Sequence, residues 1–212
     1  MENATEKKKR KNGIETRERL LDAAAELFAR QGFDGVSVYA IASAAGIRES
    51  SVYNHFASKA DILEALFEQF IAQTPSLRPS DAEIDQMLLI MQPQEVFKAI
   101  LFHFGSRVSD RMYNIAMVIN NEKYKNPRAV EMYYRHVVAE PSDYYERLIR
   151  KMVQRGMVGA VDARMFAEQY NYVSIALTKE YFLAKNGLAD ERAVVGYMVK
   201  TIGFFCDLMK SV

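Results

Sequence analysis

Ser37-Val38-Tyr39-Ala40-Ile41-Ala42-Ser43-Ala44-Ala45-Gly46-Ile47-Arg48-Glu49-Ser50-Ser51-Val52-Tyr53-Asn54-His55-Phe56 is the stretch on which the architecture turns. Ser37 can cap a helix that carries Val38, Ile41, Ala42 and Ala45 on one face, and Gly46 can stop it after about two turns. Past the linking Ile47-Arg48-Glu49, the spacing predicts a second short helix over 50–56, with Val52 and Phe56 four apart on one side. The small Ala42 lets the two pieces cross closely, and Ile47 and Val52 plug the junction. Isolated helices need about 12–15 residues to be stable, so both pieces must pack on the helices flanking them.

Those flanking helices can be read on either side. Upstream, Leu20, Leu21, Ala24, Leu27 and Phe28 recur at helical spacing with charges opposite, and Asn12 with Glu15 resembles a capping box, which predicts a first helix from Asn12 to Gln31. Gly32 suits the left-handed position at its end, where Phe33 can touch Phe28. Downstream, Ser58 caps with Asp61 at the box position, and Ile62, Leu63, Leu66, Phe67 and Phe70 form a continuous stripe. Two short helices joined by a glycine turn between two longer ones are the layout of a helix-turn-helix DNA reader. A structural hairpin in any small helical bundle has the same spacing, and spacing alone leaves both readings open.

Three of the five prolines, Pro75, Pro79 and Pro93, surround a modest helix near Asp81 to Met91, which marks a joint between two units. Beyond it the pattern predicts helices over 94–107, 109–122, 127–139, 141–156, 162–186 and 190–210, with Pro127 and Pro141 as first-turn residues. No stretch reads as a strand, so the expected fold is all-α. Its expected divisions are a flexible basic arm over 1–11, a helix-turn-helix domain over 12–58, a connecting helix and linker over 59–80, and a larger helical domain over 81–212. The last helix carries Val194, Val195, Met198, Val199, Ile202, Phe205, Cys206 and Met209 as a stripe. The one before it is apolar over more than one face, through Phe166, Tyr170, Val173, Leu177 and Tyr181 on one side and Met165, Tyr172, Ile175, Phe182 and Leu183 elsewhere. Such a helix is covered on both sides, either by other helices of the chain or by a second copy in a two-fold interface, and a homodimer through 162–186 and 190–210 is the expectation.

Charge bounds the partners. The 212 residues hold 28 Lys+Arg against 27 Asp+Glu, which argues against a blanket of positive charge on nucleic acid or anionic membrane. The balance is uneven: residues 1–60 hold ten Lys/Arg and eight Asp/Glu, and Lys7-Lys8-Lys9-Arg10-Lys11 is an unbroken basic run. Such a run extends by its own repulsion and reads either as a solvated tail or as an arm that needs an anionic partner. Half the residues are apolar, enough for a real core, and neither a signal-peptide core nor an apolar run of membrane-spanning length is present, so the chain reads as soluble and cytoplasmic with no membrane partner. A single cysteine excludes an internal disulfide and a thiolate metal cage. His55, His103 and His136 have no second ligand at metal spacing, His136 and Glu140 read as a surface ion pair one turn apart, and the Ser-x-x-Lys, Gly-x-Ser-x-Gly and phosphate-cradling glycine patterns are absent. Cys206 lies in an apolar stripe, as a structural thiol would. No catalytic residue, metal or cofactor is expected.

Thr16-Arg17-Glu18-Arg19-Leu20-Leu21-Asp22-Ala23-Ala24, Leu27-Phe28-Ala29-Arg30-Gln31-Gly32-Phe33, Ser37 to Ala42, Ala45-Gly46-Ile47, Val52 to Phe56 and Lys59 together resemble the amino-terminal domain of the TetR family of transcriptional regulators, and the Tyr-x-x-Phe-x-x-Lys element is the most specific part. The rest of the chain matches in helix count and in its long closing helices. The resemblance implies a ligand-responsive, sequence-specific regulator that binds double-stranded operator DNA as a homodimer, a repressor released by a small molecule. It implies phosphate contacts from Ser37, Tyr53, His55 and Lys59, and base reading from Arg48, Ser50, Ser51 and Asn54, with Arg48 suited to guanine and Asn54 to adenine. The basic run, with Lys9, Arg10 and Lys11, then reads as an arm along the adjacent minor groove. Glu49 and Ser50 depart from the family pattern, and Glu49 either accepts from cytosine or merely faces solvent. Ten of the twelve tyrosines follow residue 80, and Met91, Phe102, Tyr113, Met117, Tyr134 and Tyr170 are candidates to line a largely apolar or aromatic effector pocket, with ordinary core packing as their alternative. A helical ligand carrier or enzyme that does not bind DNA is the competing function.

Overall fold

The computed structural model describes residues 4–185 and 187–210, apart from the side chains of 4–6 and 8–10. Helix α1 runs over Ala4–Gln31 and so begins well before Asn12. The basic run is therefore helical, which corrects the expected extended arm; Lys, Arg, Glu and Ala are all good helix formers, and lengthening a helix already nucleated by its buried stripe costs little. Asn12 does not cap it; its carbonyl accepts from the Thr16 hydroxyl at 2.8 Å. The side chains of Lys9 and Arg10 lie outside the described residues. The far end of α1 follows the expectation: Gly32 has φ +74°, its N–H reaches the Phe28 carbonyl at 3.0 Å, and the Phe28 and Phe33 rings stand 5.2 Å apart.

Helices α2 (Val38–Ala44) and α3 (Glu49–Val52) meet at Gly46, whose φ is +67°. The Ile47 N–H reaches back to the Ala42 carbonyl at 3.0 Å and closes the end of α2. A Cβ at Gly46 would also stand 3.0 Å from an Arg19 guanidinium nitrogen, which would have to move aside. Helix α4 (Lys59–Gln73) is capped by Ser58, whose hydroxyl accepts from the Asp61 N–H at 3.1 Å, and it buries Ile62, Leu63, Leu66, Phe67 and Phe70. After a 3-10 turn at Thr74–Leu77 come α5 (Asp81–Ile90), opened by a complete Ser80–Glu83 capping box, then α6 (Pro93–Arg107), α7 (Asp110–Glu122) and α8 (Pro127–Met132). The chain continues through a π-helical stretch, Tyr133–Ala139, into α9 (Glu140–Gln154), and ends with α10 (Ala163–Lys185) and α11 (Glu191–Lys210). Among the described residues there is no strand, and no helix is long and apolar enough to cross a membrane.

The chain divides into two units, Met1–Pro75 with Val108–Tyr133 and Ser76–Arg107 with Tyr134–Val212. This differs from a reader closed at residue 58 and a continuous domain from 81 onward, because α7 and α8 join α1–α4. Met112, Ile115, Val118 and Ile119 explain the difference: at helical spacing they bury one face of α7, which packs on α1 and α4. Leu20, Leu21, Ala24, Phe28, Ile41, Val52, Ile62, Leu66 and Phe67 complete that core, each large side chain contributing about 1.5–3 kcal/mol by leaving water.

In the other unit, α10 packs between α9 and α11, α11 packs on α6, and α6 on α5. Tyr170 is the hub of its core, edge-on to Phe97, Tyr145 and Phe205 with ring centres 4.9, 4.8 and 5.5 Å away. The predicted break between helices at 139 and 141 is absent. Pro141 has no N–H for the Val137 carbonyl, and the Asn171 amide serves it instead, donating to Val137 at 3.3 Å and to Val138 at 3.0 Å, while the Ser142 hydroxyl donates to Val138 at 2.8 Å. A widened π turn thus replaces a break. Met165, Tyr172 and Leu183 of α10 and Tyr197, Phe204 and Leu208 of α11 remain exposed.

Candidate nucleic-acid interface

What α3 buries decides what it presents. Val52 and Phe56 are inside the core, so Arg48, Glu49, Ser50, Tyr53 and Asn54 are exposed, with Ser51 and His55 half-buried. The α-helix ends at Val52, earlier than expected. Tyr53, Asn54 and His55 lie on the turn that follows, where the His55 N–H reaches the Val52 carbonyl at 2.8 Å and the Phe56 N–H reaches the same oxygen at 3.0 Å. Asn and His gain little from staying helical, and pulling Phe56 into the core bends the chain away from the helix axis. Arg48 precedes α3 in an extended conformation, and its side chain makes no capping hydrogen bond. At the start of α2 the exposed Ser37 accepts from the Ala40 N–H at 3.1 Å, which leaves its own O–H available to donate to a phosphate.

Lys59 opens α4, and its ammonium is engaged within the protein. Its ammonium donates to the carbonyls of Phe33 and Val36, both at 2.8 Å, and lies 4.3 Å from the centre of the Phe33 ring. Two of its three N–H groups are thereby spent inside the protein.

Four further residues hold the reader, and sequence reading does not single them out. Arg17 lies over the Phe56 ring at 4.8 Å, and Arg19 donates to the Ala45 carbonyl at the turn. Arg111 of α7 pairs with Glu18 and Asp22 of α1, donates to the Glu18 backbone carbonyl at 3.1 Å and donates to the Gln69 side-chain Oε1 of α4 at 3.2 Å. Its hydrogen bond to Asp22 and its pair with Glu18 hold the guanidinium above its ordinary range, although its partial burial works the other way. Glu122, buried at the end of α7, accepts from the Phe33 N–H at 3.1 Å. Arg17 and Arg19 flank a cluster of alternating charges on α1, a visible signal; Arg111 and Glu122 meet partners 89 to 93 positions away, for which a lone sequence carries no signal.

The effector candidates are not gathered in one place. Tyr113 and Met117 sit on α7 in the first unit. In the second, Phe102 and Tyr134 are exposed, Met91 packs at the edge of the core, and Tyr170 is a core residue whose hydroxyl burial pushes well above the usual tyrosine range. The phenol of Tyr144 in that unit is buried with no hydrogen-bond partner, and burial raises it too. Its ring lies 5.8 Å from the Arg78 guanidinium. His136 is buried, not on the surface, with Nδ1 2.8 Å from Glu140 Oε2. Among the described residues no group of three or more His, Cys, Asp or Glu could hold a metal ion.

Residues 20–66 match the family signature described as bacterial regulatory proteins, tetR family. The chain is 27% identical to the transcriptional regulator AcrR of Shigella flexneri over 164 residues, 73% of this chain and 72% of that one. It is 34% identical to the transcriptional regulator TtgW of Pseudomonas putida, over 47% of this chain and 82% of that one. Its fold matches that of a transcriptional regulator from Saccharomonospora viridis solved in complex with choline, with a TM-score of 0.66 at 22% identity over 92% of this chain and 96% of the other.

Proposed function

The chain belongs to the TetR family of bacterial regulatory proteins and is a DNA-binding transcriptional regulator, and from that premise we propose that it is a repressor whose operator is read by Arg48, Ser50, Ser51 and Asn54 and released on binding a small molecule. The observation that carries the base-reading assignment is the burial of Val52 and Phe56, which turns these side chains outward beside the Gly46 turn. Ser37, Tyr53 and His55 supply phosphate contacts, and Lys9, Arg10 and Lys11 add charge where α1 continues beyond the reader. On a helical backbone such charge lies beside phosphates and does not follow the floor of the minor groove.

The protein acts as a dimer of the family kind, and the apolar side chains left exposed on α10 and α11 are the surface proposed to meet the second copy. The effector belongs to the second unit. Tyr144, with its buried and unpartnered phenol, and Arg78 are its proposed polar handles, and the aromatic surroundings favour an apolar or aromatic molecule. The choline held by the Saccharomonospora viridis regulator supports a small-molecule effector without naming this one.

Binding selection from random duplexes tests the base-reading assignment. Arg48→Ala should weaken the selected site by about 1–3 kcal/mol and relax the preference at a single base pair. A variant with unchanged affinity and unchanged preference removes Arg48 from the base-reading set.

A further inference from the structure

We infer that Lys59 and Glu122 are positioning residues of the reader, which grip the backbone at Phe33 from two sides and fix where α2 begins, and that Lys59 is not a phosphate ligand. The inference rests on the reading of this unit as the DNA-binding one. Phe33 follows the end of α1, and both its polar backbone groups are taken: its N–H by the Glu122 carboxylate at 3.1 Å and its carbonyl by the Lys59 ammonium at 2.8 Å. The same ammonium holds the Val36 carbonyl at 2.8 Å, one residue before the Ser37 cap of α2. Lys59 is further covered by the Phe33 ring. Swinging it out to a phosphate would strand two carbonyls and forfeit the ring contact, whereas leaving it in place costs the protein nothing.

Glu122 connects this grip to α7. Arg111 near the start of α7 meets Glu18 and Asp22, Asn121 donates to the Ala29 carbonyl at 3.3 Å, and Glu122 meets Phe33. Contacts that advance together along both helices mean that α7 and α1 run side by side in the same direction, each rising about 1.5 Å per residue. Glu122 is buried and acidic, so any effect it has on DNA binding comes through Phe33 and not through contact with phosphate.

The test is a salt titration of the full-length protein against a fluorescent random-sequence duplex, with a thermal melt confirming that each variant is folded. Wild type should show affinity falling steeply with salt; a flat line would sink the DNA reading itself, and the inference with it. Lys59→Met and Glu122→Ala should each lower affinity roughly ten-fold at every salt concentration while keeping the wild-type slope. Glu122→Gln, which keeps an oxygen to accept from Phe33, should stay within about three-fold of wild type. A Lys59→Met line shallower by about 1.8, the value for one lost phosphate contact in each of two protomers, would make Lys59 a phosphate ligand and overturn the assignment. Wild-type affinity in Glu122→Ala would do the same for the grip. Should Lys59→Met fail to fold, the Glu122 pair decides alone, since a merely structural role would not be rescued in DNA affinity by the amide.

Discussion

Asn171→Ala tests whether the π turn at Tyr133–Ala139 is held by one side chain. The Asn171 amide nitrogen stands 3.3 Å from the Val137 carbonyl, 3.0 Å from that of Val138 and 3.1 Å from the Ser142 hydroxyl. It has two hydrogens, so the three contacts amount to two hydrogen bonds with one shared. After truncation the Val138 carbonyl keeps the Ser142 hydroxyl at 2.8 Å, while the Val137 carbonyl loses the Asn171 amide and has no α-helical donor to replace it, because the residue four positions on is Pro141. One part-buried carbonyl left short costs about 1–3 kcal/mol, and the small void left by a side chain that is 3% exposed adds about 1 kcal/mol more. The expected loss is therefore about 2–4 kcal/mol, measured by urea unfolding at fixed protein concentration, so that the proposed dimerisation contributes equally to both proteins. Asn171→Asp should be worse at neutral pH, because it aims a carboxylate at two carbonyls. Burial there raises the carboxyl pKa above its unfolded value, so the protonated, donating form is favoured in the fold; stability should recover as pH falls below about 4 and be lost as pH rises. Asn171→Ala within about 0.5 kcal/mol of wild type, the range of an inconsequential substitution, would show that the backbone holds the π turn by itself.

Arg111→Met keeps the aliphatic stem and removes the guanidinium that ties α7 to α1. Glu18 and Asp22 are 42% and 59% exposed and can return to water, so the expected loss is only about 1–2 kcal/mol by denaturant unfolding, and a loss above about 4 kcal/mol would mean that the pairing is worth more than its exposure permits. Phe204→Asp on the exposed face of α11 should shift sedimentation toward the monomer mass, and an undiminished dimer would move the interface elsewhere. Cys206 is 1% exposed and burial pushes its thiol up to about 11, so native protein at pH 8 should resist a maleimide that labels it fully after unfolding. The sign follows from the raised value: this thiol's contribution to stability is complete below about pH 9 and is lost as pH climbs through about 11.

Local physics is legible where a residue's role depends on its near neighbours. Gly32 can be assigned a left-handed conformation because it follows an apolar stripe and precedes Phe33, which folds back, and Gly46 can be read as the turn that ends α2; both have positive φ. Ser37 and Ser58 can be read as caps because the groups they bind lie three residues on. The basic run misleads for a reason of the same kind: charge repulsion and helix propensity oppose each other over Lys7–Lys11, and propensity prevails once α1 is nucleated downstream. Pro141 is ambiguous, because a proline missing one hydrogen bond fits a first helical turn and a π turn alike. Only Asn171, 33 and 34 residues away from the carbonyls it binds, decides between them.

Lys59 marks the boundary of what a motif can convey. Its place after Tyr-x-x-Phe-x-x identifies the family, and its charge beside a DNA reader suggests a phosphate. Nothing in that pattern records that two carbonyls from the α1–α2 connection stand 2.8 Å from its nitrogen. An ammonium near an anion in high dielectric gains little per contact, while one that satisfies two part-buried carbonyls replaces bonds which would otherwise be missing. On the positioning role inferred for Lys59, the stronger local demand claims the side chain, and the attraction to DNA is proposed to rest on residues outside that grip, Arg48 and its exposed neighbours on α3. A nearly neutral chain can in this way be a DNA-binding protein, provided that a few of its cations are left outward and the others are used to hold them in place.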